Sequence, residues 1–158
     1  MDSSTETAFQ ALLNLPVAAL GTLHQGVPFV SMVPIVPAQD GSGFLIHVSR
    51  LAQHTKDLMA DGRISLLLMQ PLEEEQDPLA LPRLTLQGEA EAISVGSSAH
   101  DSVAAAYLAR FPQAEMTLGL GDFSFFRIRP TSGRLVSGFG RALSLDAGQI
   151  QVGLSRIV

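Results

Sequence analysis

Apolar positions recur at helical spacing in only three stretches of the chain. Between Thr5 and Asn14, Phe9, Leu12 and Leu13 share one face, which predicts a short helix ended by Pro16. Ser49 is placed to cap a helix from Arg50 to about Asp61, with Leu51, Thr55, Leu58 and Met59 on one face and Gly62 at its end. Ser97 to Arg110 is the third helical stretch, with Ser98 and Asp101 spaced like a capping box. The other apolar runs are short and β-prone. Val17 to Leu23 and Val27 to Val36 flank the turn His24-Gln25-Gly26 and predict a hairpin. Pro28, Pro34 and Pro37 place its second strand at an edge or a bulge, because proline cannot donate to a ladder. Phe44 to Val48, Ile64 to Met69 and Leu84 to Val95 follow as strands, with Gly88 a bulge. Phe123 to Arg129 and Arg134 to Phe139 read as a last pair, turning at Pro130-Thr131-Ser132-Gly133. The tail after Gly140 reads as neither helix nor strand. Short connections make the sheet antiparallel, and about six or seven strands in one domain close into a barrel. The expected fold class is therefore mainly β, an antiparallel barrel with short helices, as a single domain over residues 1–158.

Composition adds a partner to this picture. Apolar residues make up 46% of the 158 and charged residues only 16%, so part of the apolar surface is expected to meet a second subunit in a homodimer. The net charge of -5 and the lack of a basic patch exclude a nucleic-acid binder. No apolar run is long enough to span a membrane. The first residues, Met1 to Glu6, lack a signal-peptide pattern, which points to the cytoplasm. With no cysteine, disulfides and thiol chemistry are excluded.

Candidate chemistry gathers in Ile46 to Lys56. A strand there runs into a helix whose start carries Ser49, Arg50, His54, Thr55 and Lys56. Free N–H groups and the helix dipole favour an anion at such a place, and Arg50 adds a forked grip on phosphate. The same pattern is also that of an ordinary capped helix with a solvated basic face. His47 alternates with Ile46 and Val48 and is placed to point into such a site, whereas His24 and His100 read as solvated. No histidine pair has metal-ligand spacing, so no metal is expected. Gly119, Gly121, Gly138 and Gly140 lack the context of a phosphate loop, and the cluster from Glu73 to Asp77 reads as a solvated loop. No Ser–His–Asp set can be assembled.

Taken in order, Thr22-Leu23, Gly26-Val27-Pro28, Ser31-Met32-Val33-Pro34, Ser49 to Leu58, Arg63 to Leu68, Pro82 to Gly88, Asp122-Phe123 and Gly138 to Ala142 resemble the pyridoxamine 5'-phosphate oxidase-like FMN-binding split barrels. Leu51-Ala52-Gln53-His54-Thr55 and Gly138-Phe139-Gly140-Arg141-Ala142 are most similar to the subgroup related to haem-utilisation proteins. The resemblance implies a dimer with two FMN sites at its interface. It places Ser31, Met32, Val33 and Pro34 along the flavin ring. Ile46, His47, Ser49, Arg50 and Leu51 would hold the ring edge and phosphate, with Thr55 and Lys56 beside them. The oxidases carry basic residues where this chain has Ser31 and Val36, which argues against vitamin B6 oxidation. The haem-degrading members carry a further C-terminal part, beyond the Val158 at which this sequence ends. The leading expectation is an FMN-dependent oxidoreductase of unknown small-molecule substrate, with His47 and Arg50 the nearest candidates for roles beside the flavin. A haem-binding or haem-degrading protein and a non-catalytic flavin carrier are the alternatives.

Overall fold

The computed structural model describes residues 1–157. Helix α1 (Ser3–Leu13) starts where the Asp2 carboxylate accepts the Thr5 N–H at 2.8 Å. It buries Phe9, Leu12 and Leu13. Strands β1 (Val17–His24) and β2 (Val27–Pro34) then pair in full register. Their two-residue turn holds Gln25 at φ 52° and Gly26 at φ 82°, the left-handed pair that a tight hairpin needs. The ladder ends at Ile35, whose N–H makes its last bond, to the Pro16 carbonyl at 2.9 Å, in register with the Val17–Pro34 pair. The chain resumes as β3 (Val36–Pro37), which pairs with β4 (Phe44–Ser49).

That break organises the whole sheet. The strand order is β2-β1-β5-β6-β7-β4-β3, with β5 (Arg63–Met69), β6 (Arg83–Ala92) and β7 (Phe123–Gly138) in the middle. The two ends of the sheet, β2 and β3, are therefore consecutive in sequence. One proline-rich stretch closes the barrel by running from one edge to the other. All pairings are antiparallel, and an eighth strand, β8 (Arg141–Asp146), lies against β7. The fold is the antiparallel split barrel with short helices that the sequence predicted, with eight strands. Phe9, Leu20, Phe44, Ile46, Leu66, Leu86, Phe126 and Ile128 share its core.

Several local expectations are corrected. Phe123 to Phe139 is not a hairpin: β7 is one strand of 16 residues. Its partner β6 runs beside it from Arg83, opposite Val136, to Ala92, opposite Phe126. The register shifts once, where Gln87 and Gly88 face Ser132 and Pro130, so Thr131 is the extra residue of a bulge. Pro130 thus lacks a donor where the ladder is already interrupted, which is why a turn-like sequence sits inside a strand. The other edge of β7 is shared, β4 taking residues 123–128 and β8 taking residues 132–138. The tail after Gly140 is ordered as β8 and helix α5 (Ala147–Leu154), which opens on a reciprocal capping box between Asp146 and Gln149.

Helix α2 spans only Gln53–Ala60 and its N-cap is Ala52, not Ser49. Thr55 and Leu58 are buried as expected, but Leu51 and Met59 face solvent. Gly62 does not end the helix. Its bare Cα packs against β6 instead: the Ala90 N–H donates to the Gly62 carbonyl at 2.8 Å, and a Cβ on Gly62 would crowd the Ala90 carbonyl oxygen at 2.8 Å. Helix α3 (Ser98–Arg110) is capped by Ser97, one residue before the expected position, through the His100 N–H. A short helix α4 (Glu115–Leu118) follows. Under α3, outside the barrel, Leu45, Val103, Tyr107 and Phe125 form a second apolar cluster.

The bulge supplies a stability test. A methyl group on Gly88 would overlap the Arg129 carbonyl oxygen and crowd Pro130. Both are backbone or ring atoms that cannot swing aside. Gly88→Ala should lower unfolding free energy by about 1–3 kcal/mol, read as a lower urea midpoint at unchanged slope.

Candidate functional site

The junction between β4 and α2 is strapped to the segment before β7. The Ser49 hydroxyl donates to the Asp122 carboxylate at 2.9 Å and accepts the Leu51 N–H at 3.2 Å. The Arg50 N–H donates to the Asp122 carbonyl at 2.6 Å, and its guanidinium donates to the Gly121 carbonyl. Four residues later α2 begins without any side-chain cap. Its first N–H groups therefore lack a side-chain acceptor, with Arg50, Leu51 and Lys56 exposed around them. Uncapped N–H groups beside two cations suit an anion, although the Asp122 carboxylate on the far side of Ser49 opposes one.

The other predicted residues divide between faces. On β2, Ser31 lies opposite Leu20 and Val33 opposite Ala18, facing the barrel interior. Met32 and Pro34 lie on the alternate face. Met32 is 65% exposed and Val30 67%. Across β1 they continue into exposed Leu67 and Met69 of β5, because Ala19 pairs with both Met32 and Leu67. Ile46 is sealed in the core, so only its backbone can meet a ligand. His47 points the opposite way, into the cluster under α3. Its ring stacks on Phe125 with centroids 4.3 Å apart and meets Phe123 and Tyr107 at 5.0 and 5.6 Å. Burial, aided by nearby His100, lowers the His47 pKa to about 4, and burial raises Tyr107 to about 12. The structure thus gathers Ser49, Arg50, Leu51, Thr55 and Lys56 at one helix start and keeps the His47 side chain away from it. The hydroxyls of Ser31 and Thr55 are buried with no hydrogen-bond partner among the described residues.

A cluster that sequence reasoning missed lies next to that helix start. Asp57 is only 4% exposed, yet its carboxylate accepts from Thr22 at 3.1 Å and from Gln53 at 2.9 Å. The His24 Nδ1 lies 2.8 Å away. Burial pushes the Asp57 carboxyl up, but hydrogen bonds from His24, Gln53 and Thr22 outweigh it and hold the group below its usual range. The Gln53–Asp57 spacing of four was readable as one helix face. That this face meets Thr22 and His24 of β1 depends on the closed barrel.

A family model described as pyridoxamine 5'-phosphate oxidase matches residues 4–137. The chain belongs to that family. Within this family it is 43% identical over 126 residues to the non-canonical heme oxygenase HOZ, chloroplastic, of Arabidopsis thaliana, which covers 80% of this chain and 36% of that protein. It is 30% identical over 127 residues to the heme oxygenase HutZ of Vibrio cholerae, covering 80% of this chain and 71% of HutZ. The chain therefore spans about a third of the first relative's length. Among solved structures, a heme binding protein from Mycobacterium smegmatis superposes with a TM-score of 0.82 at 29% identity, over 96% of this chain and 61% of that one. The pyridoxamine 5'-phosphate oxidase-like barrel of this chain is thus shared with proteins named for haem. No helix among the described residues is long and apolar enough to cross a membrane.

His47 makes stability depend on pH. Its folded pKa, about 4, lies below the ordinary 6.5. Below pH 6.5 the unfolded chain binds a proton that the folded chain refuses. Stability is therefore full above pH 6.5, falls as the pH drops toward 4, and levels off below that. The whole loss is about 3 kcal/mol. Urea unfolding at pH 7.5 and 4.5 should show it in the native chain, and His47→Phe should shrink the difference between the two.

Proposed function

We propose that this protein binds haem, as a homodimer, at the corner where the start of α2 meets the tip of the β1–β2 hairpin. The observation that carries the reading is the 43% identity with a haem oxygenase, held over 126 residues. The local chemistry supports it. Haem needs a flat apolar surface, cations for two propionates and a donor for iron. Val27 and Phe29 are exposed apolar side chains at the hairpin, and Leu51 is exposed at the helix start. Arg50 and Lys56 supply cations, and Gln53 and His24 meet on the Asp57 carboxylate, 2.9 and 2.8 Å from it, which joins the two parts. Histidine is present as a donor. By likeness to HOZ and HutZ, haem is the substrate as well as the ligand, and its oxidative opening is the activity proposed.

FMN is the second reading. Family membership and the unpartnered hydroxyls of Ser31 and Thr55 favour it. Against it, Val36, at a position where the oxidases carry a base, is buried and apolar. Titrating the purified chain with hemin and, separately, with FMN decides between them. A Soret band that saturates near one hemin per chain, with FMN fluorescence unquenched, is expected. Arg50→Ala with Lys56→Ala should weaken hemin about tenfold, or 1.4 kcal/mol. Quenching of FMN without a Soret change would overturn the haem reading in favour of flavin.

The homodimer is proposed to form through the outer face of β2 and β5. Val30, Met32, Leu67 and Met69 make one apolar surface there, of the kind that soluble proteins cover. Met32→Asp puts a charge into that face. Sedimentation at micromolar concentration should give twice the 16.8 kDa chain mass for the native protein and a single chain mass for the variant.

A further inference from the structure

We propose that His24 is the haem-iron ligand and that buried Asp57 is its positioning residue; the assignment rests on the haem reading above. The four histidines differ sharply in what they can reach. His47 is enclosed by Phe123, Phe125 and Tyr107. His100 lies edge-on to Phe125 at the start of α3, away from the corner. His54 is partly buried along α2. The His24 side chain is 43% exposed at the end of β1.

The hydrogen bonds around His24 fix its tautomer. Its Nδ1 lies 2.8 Å from Asp57 Oδ1. An ionised carboxylate has no proton to give, so Nδ1 carries the hydrogen and donates it. Gln53 then donates to the same carboxylate, at 2.9 Å, rather than to the ring. The Nε2 atom is left as a lone pair on the side of the ring away from Asp57. No described residue hydrogen-bonds it. This is the state an imidazole needs in order to bind a metal. A carboxylate behind the ring also makes it a stronger donor. The carboxylate is itself locked by Thr22, so the ring is held rather than free to rotate.

The surroundings suit a porphyrin. Register pairs His24 with Val27 and Thr22 with Phe29, so His24, Val27 and Phe29 share one face of the hairpin. Val27 is 64% exposed and Phe29 38%. Lys56 precedes Asp57 on α2 and is exposed, within the same corner, as a partner for a propionate.

The test uses hemin added to the full chain, with absorption and resonance Raman spectra of the ferric and dithionite-reduced forms. The native protein should show an iron–histidine stretch when reduced. His24→Ala should lose that stretch and shift the Soret band, and added imidazole should restore both. Asp57→Asn should keep the ligand, lower the stretching frequency and weaken hemin roughly tenfold. Circular dichroism of His24→Ala separates ligand loss from misfolding, and the imidazole rescue requires a folded site. Hemin uptake with an unchanged spectrum in His24→Ala would overturn the assignment alone, as would loss of the stretch in His54→Ala instead. No hemin uptake by the native chain would overturn the haem reading itself, and this assignment with it.

Discussion

The Ile35 N–H makes the last bond of the β1–β2 ladder, to the Pro16 carbonyl, in register with the Val17–Pro34 pair. That single hydrogen bond marks where one extended stretch changes partners, from β1 to β4. Were the stretch to continue along β1, the sheet would stay open and β4 would lose its neighbour. Because it crosses, the barrel interior is sealed at that side by Val33 and Ile35, while Val36 joins the cluster under α3. The corner between β1 and α2 then has a rigid wall behind it. Pro34 and Pro37 flank the crossing and cannot supply the donors that a continuous ladder would require.

Two further devices hold the corner in shape. The strap from Ser49 and Arg50 to Gly121 and Asp122 fixes how the chain leaves β4. The Asp57 cluster fixes how α2 lies on β1. One anchors the helix start through the segment before β7, the other through the hairpin. A buried carboxylate with three hydrogen-bond neighbours is costly to assemble and costly to leave incomplete, so it specifies one placement of the helix. The exposed side chains at the helix start are thereby presented from a fixed base.

Much of this was legible in the chain, and the failures share a cause. The hairpin was readable because Gln25-Gly26 is a local signal for left-handed backbone between two apolar runs. Helix α1 was readable because Phe9, Leu12 and Leu13 show its period. Pro130-Thr131-Ser132-Gly133 misled because its turn chemistry is real, yet β6 runs past it and turns the irregularity into a bulge at Gly88. Ser49 misled because a hydroxyl before a helical pattern suits capping, but Asp122, distant in sequence, claims it. For His47, strand alternation correctly set it opposite Ile46. Which face α3 would cover was not written in β4. The pairing of Asp57 with His24 had no local signal at all, since it joins residues 33 apart across an antiparallel closure.

The outward edge of β2 carries a further consequence. This strand ends the sheet, and a bare edge is a template on which other chains can add strands without limit. Here Pro28 and Pro34 interrupt it, so a neighbour laid alongside would find gaps in the row of donors. Adhesion through β2 is thereby confined to its flat side, where Val30 and Met32 project. A flat side is used up by a single symmetric contact, whereas an edge regenerates itself with each chain added. The prolines of this strand thus favour the closed pair proposed above over a growing fibril.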